Sequence, residues 1–190
     1  VLPGEVFGYL GPNGAGKSTT IRMLLDQIRP SRGNATIFGL DIRKDSVEIK
    51  RRIGYLPGEF ALYDQMTGED VLRYFANLRG GVDWTYLEEL AHRLDANLGR
   101  KFTQLSRGNK QKIGVIQALM HKPELVVFDE PTSGLDPLVQ HEFNEVIREV
   151  KADGRTVFFS SHQLPEVQQI CDRVGIIRQG ELVMVERVDT

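Results

Sequence analysis

Residues 11–18 read Gly11-Pro12-Asn13-Gly14-Ala15-Gly16-Lys17-Ser18, a complete G-x-x-x-x-G-K-[ST] motif. Before it, Val6-Phe7-Gly8-Tyr9-Leu10 has the composition of a β-strand. After it, residues 17–29 predict a helix, because Ile21, Leu24, Leu25 and Ile28 recur at i, i+3, i+4 and i+7, and Pro30 is expected to end it. A strand, a glycine-rich turn and a helix form the context in which this motif has chemical meaning. The glycines let successive backbone N–H groups turn inward around a polyphosphate, and the helix N-terminus adds its dipole. Lys17 can then reach the β- and γ-phosphates, while the Ser18 hydroxyl can coordinate Mg²⁺. Average residue usage puts a chance match at about one in a hundred for a chain of this length, and the correct flanks make it rarer.

Outward from that loop, short β-rich runs alternate with amphipathic stretches, the pattern of an α/β domain with a mainly parallel sheet. Residues 34–38, 52–56, 125–129 and 155–160 predict further strands of this sheet, and residues 174–185 a hairpin turning at Gln179-Gly180. From about residue 60 to 120 the strand signal gives way to three helices, read as an inserted all-helical subdomain. The first, 67–78, opens with a Thr67-x-x-Asp70 cap and carries Val71, Phe75 and Leu78 on one face. The second, 84–94, carries Leu87, Leu90, Ala91 and Leu94, and the third begins after Ser106.

Two more segments carry chemistry. The apolar run 125–128 ends in Asp129 and Glu130. If it is a buried strand, Asp129 lies at the carboxyl edge of the sheet, where α/β ligands bind and where it could hold the hydration shell of Mg²⁺. Glu130, one residue on, is placed to polarise an attacking water as general base. The run Leu105-Ser106-Arg107-Gly108-Asn109-Lys110-Gln111-Lys112 reads as a Ser-capped helix start, itself an anion-binding geometry.

Composition narrows the classes without naming one. The 190 residues, 41% hydrophobic and 26% charged, suit one globular domain and exclude disordered and disulfide-framework chains. Lys and Arg total 24 against 26 Asp and Glu, so no general electrostatic footprint for nucleic acid is present and any phosphate site must be local. The single cysteine, Cys171, fits a reducing compartment. The apolar runs are far shorter than the ~20 residues that span a bilayer, and residues 1–5 have neither the basic nor the apolar region of a signal peptide. Val1 reads as a start in mid-domain, so the natural protein is expected to be longer.

The order of these segments resembles the nucleotide-binding domain of ABC ATPases over nearly all of the chain, 1–190. Walker A at 11–18 is followed by Ile53-Gly54-Tyr55-Leu56-Pro57, similar to the lead into the family's Q-loop. Leu105 to Asn109 stands in place of the LSGGQ signature, and Walker B at 125–129 is followed by Glu130. Pro131-Thr132-Ser133-Gly134-Leu135-Asp136 matches the D-loop, and Ser160-Ser161-His162 the switch histidine. The resemblance implies ATP and Mg²⁺ as cofactors, held by Gly11, Asn13, Gly14, Ala15, Gly16, Lys17, Ser18 and Thr19, with Ser18 and Asp129 on the metal. It also implies catalytic roles for Glu130 and His162. In the family two domains bind head to tail, which implies that Ser106 and the backbone of Gly108 contact the γ-phosphate of a second copy, that His162 holds that phosphate from the cis side, and that Asp136 is a further nucleotide-binding residue. This sequence departs from the pattern at Gly58, which stands at the Q-loop glutamine position, and at Arg107 and Asn109 within the signature.

Within the family the chain looks most like bacterial exporter ATPases that work with a separate polytopic permease. That reading expects a peripheral protein on the cytoplasmic face of the cell membrane, with Phe60, Leu62 and Tyr63 either lining a groove for a permease helix or packing inside the helical subdomain. No nucleic-acid partner is expected. The alternative, a non-transport ABC ATPase of translation or nucleic-acid maintenance, is disfavoured by the lack of room for a coiled coil between residues 18 and 105 and by a single set of motifs. A small-molecule kinase would have an arginine-rich lid and no signature, D-loop or switch histidine.

Overall fold

The computed structural model describes residues 1–58 and 65–188. Its main sheet has six strands in the order β4-β5-β6-β1-β7-β8, built from β1 (Val6–Leu10), β4 (Ile53–Leu56), β5 (Leu125–Asp129), β6 (Thr156–Ser161), β7 (Arg173–Arg178) and β8 (Glu181–Arg187). All pairs are parallel except the β7–β8 hairpin, which turns at Gln179 and Gly180 as the sequence predicts, both with positive φ. Because both faces of a parallel sheet are covered, its central strands carry unbroken apolar runs, 125–128 in β5 and 157–159 in β6, whose residues alternate between two cores. Val126, Phe128, Val157 and Phe159 point into one cluster with α3 (Gly68–Leu78), α4 (Trp84–Arg93), α5 (Arg107–Leu119), α6 (Pro137–Ala152) and α7 (Leu164–Ile170). Val127 and Phe158 point the other way, against α1 (Lys17–Leu24) and α2 (Ser46–Arg51).

Several elements differ from the sequence-based expectation. The helix expected over 17–29 ends at Leu24, because Asp26 adopts a left-handed φ of 50°. Ile28, which continued the apolar pattern, is 41% exposed and leaves the helix without a reason to go on. Residues 34–38 do not add to the main sheet: only β2 (Thr36–Ile37) forms, and it pairs antiparallel with β3 (Leu40–Asp41). On α3, Leu78 faces solvent and Leu72 takes the buried place beside Val71. The Thr67–Asp70 capping box and the four apolar residues of 84–94 are as expected. The third helix starts at Arg107, so the signature residues form its first turn; it is buried on nearly all sides between α3, α4 and the sheet. Three helices, α2, α6 and α7, were not expected. Among the described residues no helix is long and apolar enough to cross a membrane.

Candidate functional site

The carboxyl ends of β1, β5 and β6 meet at one edge, and the loop 11–16 is fixed there from three directions. Gly11 N–H donates to Ser161 O at 3.1 Å, Ala15 N–H to Pro12 O at 3.1 Å, and Gly180 N–H to Ala15 O at 2.9 Å. Gly16 caps α1 with φ 106°, a conformation suited to glycine, and it brings no side chain to satisfy the first N–H groups of the helix. Asn13, Gly14 and Thr19 are exposed, and Ser18 is half-buried in the first turn. Lys17 is 5% exposed; its Nζ donates to Gly11 O at 2.7 Å and Pro12 O at 3.2 Å and pairs with Glu130 Oε1 at 3.2 Å.

The second half of this group comes from β5 and β6. Asp129 is 3% exposed and accepts from Ser160 Oγ at 2.7 Å, while the same hydroxyl accepts from the Glu130 N–H at 3.1 Å. Glu130 has φ 52°, uncommon for a residue with a side chain. The strand direction breaks there, and the Glu130 carboxylate reaches Lys17 and, through Oε2, His162 Nδ1 at 3.1 Å. Burial, with the nearby Asp129 charge, pushes the Tyr55 hydroxyl up to about 12. Gly58 lies against Asp129, since a Cβ there would sit 3.4 Å from Asp129 Oδ2. Phe60, Leu62 and Tyr63, expected to line a groove for a permease helix, lie outside the described residues.

Ser106, Gly108 and Asp136 gather elsewhere, around a cavity of about 420 Å³ also lined by Asp95, Asn97 and Lys112. Ser106 caps α5 by accepting from the Asn109 N–H at 3.2 Å, and Asn109 itself binds the backbone of Asn97 through both ends of its amide. Asp136 caps α6, and the N–H of Val139 holds its carboxyl below the usual carboxylate range. The start of α5 rests on the turn after Glu130. Arg107 donates to Ser133 Oγ at 2.9 Å, Gln111 Nε2 to Glu130 O at 3.1 Å, and a Cβ on Gly108 would lie 2.5 Å from Gly134 O.

The expected residues thus form two separate constellations: residues 11–19 with Asp129, Glu130 and His162, and Ser106 with Gly108 and Asp136. The first fits a polyphosphate, because a buried ammonium and the free turn of a helix N-terminus converge on one loop. It also fits a divalent cation with hard oxygen ligands. Ser18 and Asp129, the two residues expected on the metal, carry the hydroxyl and carboxylate oxygens that Mg²⁺ takes as ligands. The sequence did not disclose the Lys17–Glu130 pair or roles for Ser160, Gln111 and Glu166; Lys17, Glu130, Ser160 and Gln111 stand in segments it singles out, and Glu166 does not.

The profile of the ABC transporter family matches residues 1–133. ABC transporter ATP-binding protein NatA of Bacillus subtilis is 41% identical over 186 residues, which cover 95% of this chain and 76% of NatA. Bacitracin transport ATP-binding protein BcrA of Bacillus licheniformis is 40% identical over 96% of this chain, which spans only 61% of BcrA. A solved ATP-binding subunit of an ABC transporter superposes with a TM-score of 0.89 at 33% identity, covering 98% of this chain and 80% of that one. Family profile, relatives and fold agree with the order of motifs, and the chain belongs to the ATP-binding proteins of the ABC transporter family.

Proposed function

We propose that the chain is the ATP-hydrolysing motor of an ABC transporter, acting with Mg²⁺ as a head-to-tail dimer on a polytopic permease at the cytoplasmic face of the membrane. The observation that carries this reading is the split of the site: the phosphate-loop lysine and both catalytic candidates share one constellation, and the signature serine and glycine line another. One copy supplies each half, so two copies facing head to tail complete two sites. The helices between β4 and β5 are read as a helical subdomain spanning about 60–120.

In this reading the γ-phosphate replaces Glu130 as the partner of Lys17. Ser18 and Asp129 would hold Mg²⁺, which would supply charge neutralisation on the phosphate oxygens when bound. Glu130, released from Lys17, accepts a proton from the water whose oxygen attacks the γ-phosphorus as the bond to the bridging oxygen breaks. His162 stays against the freed carboxylate and orients it. Ser106 and the backbone of Gly108 close over the phosphate from the second copy.

Phosphate release from ATP by the purified chain, with and without Mg²⁺, tests the reading. Lys17→Ala should abolish both nucleotide binding and hydrolysis, because the only side-chain cation in the loop is lost; micromolar ATP affinity in that variant would overturn the assignment of the loop. Co-purification with a membrane protein encoded beside this chain tests the transport half.

A further inference from the structure

Glu166 has no part in the chemistry above, yet its carboxylate joins the two segments that carry Glu130 and His162. Oε1 accepts from Thr132 Oγ1 at 2.7 Å and from Gln163 Nε2 at 3.3 Å, and Oε2 accepts from Ser161 Oγ. Thr132 lies two residues beyond Glu130, and Ser161 and Gln163 flank His162. The Ser161 hydroxyl also accepts from the Gln163 N–H at 3.0 Å, so the loop on both sides of His162 hangs on this carboxylate. Thr132 and Ser161 are 5% and 1% exposed, so water cannot readily take over these bonds. Among the described residues Glu166 has no cationic partner; hydroxyls and an amide hold its charge, in bonds of the stronger, charge-assisted kind.

The need for such a tie follows from the sheet. The β5–β6 ladder ends at the pairing of Asp129 with Ser160. Glu130 and His162 lie beyond it, on chains that diverge into separate turns, and the ladder does not fix their 3.1 Å contact. We propose that Glu166 is a positioning residue, whose carboxylate sets the His162 ring against Glu130 by tying Thr132 to Ser161. Its consequence for turnover rests on the ATPase reading above; its consequence for the His162 ring does not.

The test uses the whole chain in two measurements. In nucleotide-free protein labelled at histidine, Glu166→Ala should move the ring resonances of His162 and leave those of His92, His121 and His141 in place. In turnover, the same variant should lower kcat by about 10- to 100-fold, as displaced catalytic geometry does, with the KM for ATP changed less than about twofold. Glu166→Gln, whose carbonyl still accepts one hydroxyl while the other hydroxyl reverses its role, should recover most of the rate. In a His162→Ala background, removing Glu166 should cost nothing further. Should Glu166→Ala fail to fold, Thr132→Val cuts the same tie at its other end and should give the same His162 shift. Unmoved His162 resonances, or four histidines moving together, would overturn the proposal whatever the enzyme does. A wild-type chain that hydrolyses no ATP would overturn the proposed function and leave the resonance measurement to decide Glu166.

Discussion

Glu130→Gln should bind ATP more tightly than the wild-type chain, and the reason lies in the nucleotide-free site. There Lys17 Nζ is paired with Glu130 Oε1 at 3.2 Å, with side-chain exposures of 5% and 26%. A phosphate can take Lys17 only by displacing that carboxylate, so the pair competes with the ligand. Exposed ion pairs contribute about 0.2–1 kcal/mol, and breaking buried ones costs about 3–5 kcal/mol. A pair with one buried and one quarter-exposed partner falls between, at about 1–2 kcal/mol. The amide removes this contribution from the free state only, and it also removes the repulsion between carboxylate and phosphate in the bound state. At 1.4 kcal/mol per tenfold, affinity should rise by about 5- to 30-fold. Titration calorimetry with Mg²⁺ and a slowly hydrolysed ATP analogue, at about 0.15 M salt for both proteins, reads the ratio directly. The free variant should also melt about 2–8 °C lower, since it has lost the pair. Equal or weaker binding by Glu130→Gln would refute the competition, and with it the idea that Lys17 exchanges one anion for another.

The same variant should hydrolyse ATP about 10²- to 10⁴-fold more slowly and accumulate as an ATP-bound dimer in size-exclusion chromatography; unimpaired turnover with monomer alone would count against the base and the dimer together. Gly108→Ala forces a Cβ to within 2.5 Å of Gly134 O and should destabilise the chain by about 1–3 kcal/mol, or about 2–12 °C in Tm. An unchanged melt would mean that the contact between α5 and the 131–136 turn is looser than it stands here. His121 is driven down from 6.5 to about 4, first by burial and then by the Arg79 charge. Between those values the unfolded chain takes up a proton that the folded chain refuses, so stability present above pH 6.5 is lost as pH falls toward 4. His121→Gln should flatten that part of the melting profile, and an unaltered slope would place its source elsewhere.

What the sequence disclosed follows from how local each signal is. The phosphate loop, β5 and the hairpin at Gln179-Gly180 are written in consecutive residues, and the structure matches their bounds to within two residues. The end of α1 was hidden because Ile28 keeps the apolar spacing going after Asp26 has turned the chain. α6 carried a legible start, Asp136 as cap and Pro137 in the first turn, which the match to a D-loop overshadowed. The Lys17–Glu130 pair was out of reach altogether. It joins residues 113 positions apart and depends on one φ angle at Glu130 that no propensity scale would assign to glutamate. Asn109 shows the same limit: the sequence marks it only as a departure from the signature, and its amide holds the backbone of Asn97, 12 positions away.

The two constellations share one element, the seven residues from Glu130 to Asp136. Glu130 faces Lys17 and His162 at one end, and Asp136 lines the cavity of Ser106 and Gly108 at the other. Between them the chain is a pair of tight turns, Ser133 N–H to Glu130 O at 3.3 Å and Leu135 N–H to Thr132 O at 3.1 Å, with α5 braced on both Glu130 O and Ser133. Such a segment passes a bias from one cavity to the other only if it has two arrangements, because a ligand shifts an equilibrium solely by its differential affinity for the states. In the proposed function, Glu130 is where a second arrangement would begin. Held in a left-handed conformation and divided between a lysine and a histidine, it would lose one of its two partners once a phosphate occupied Lys17. The coupling that would follow runs equally in both directions: whatever closed over Ser106 and Gly108 would favour phosphate on Lys17 by the factor by which phosphate on Lys17 favoured closure.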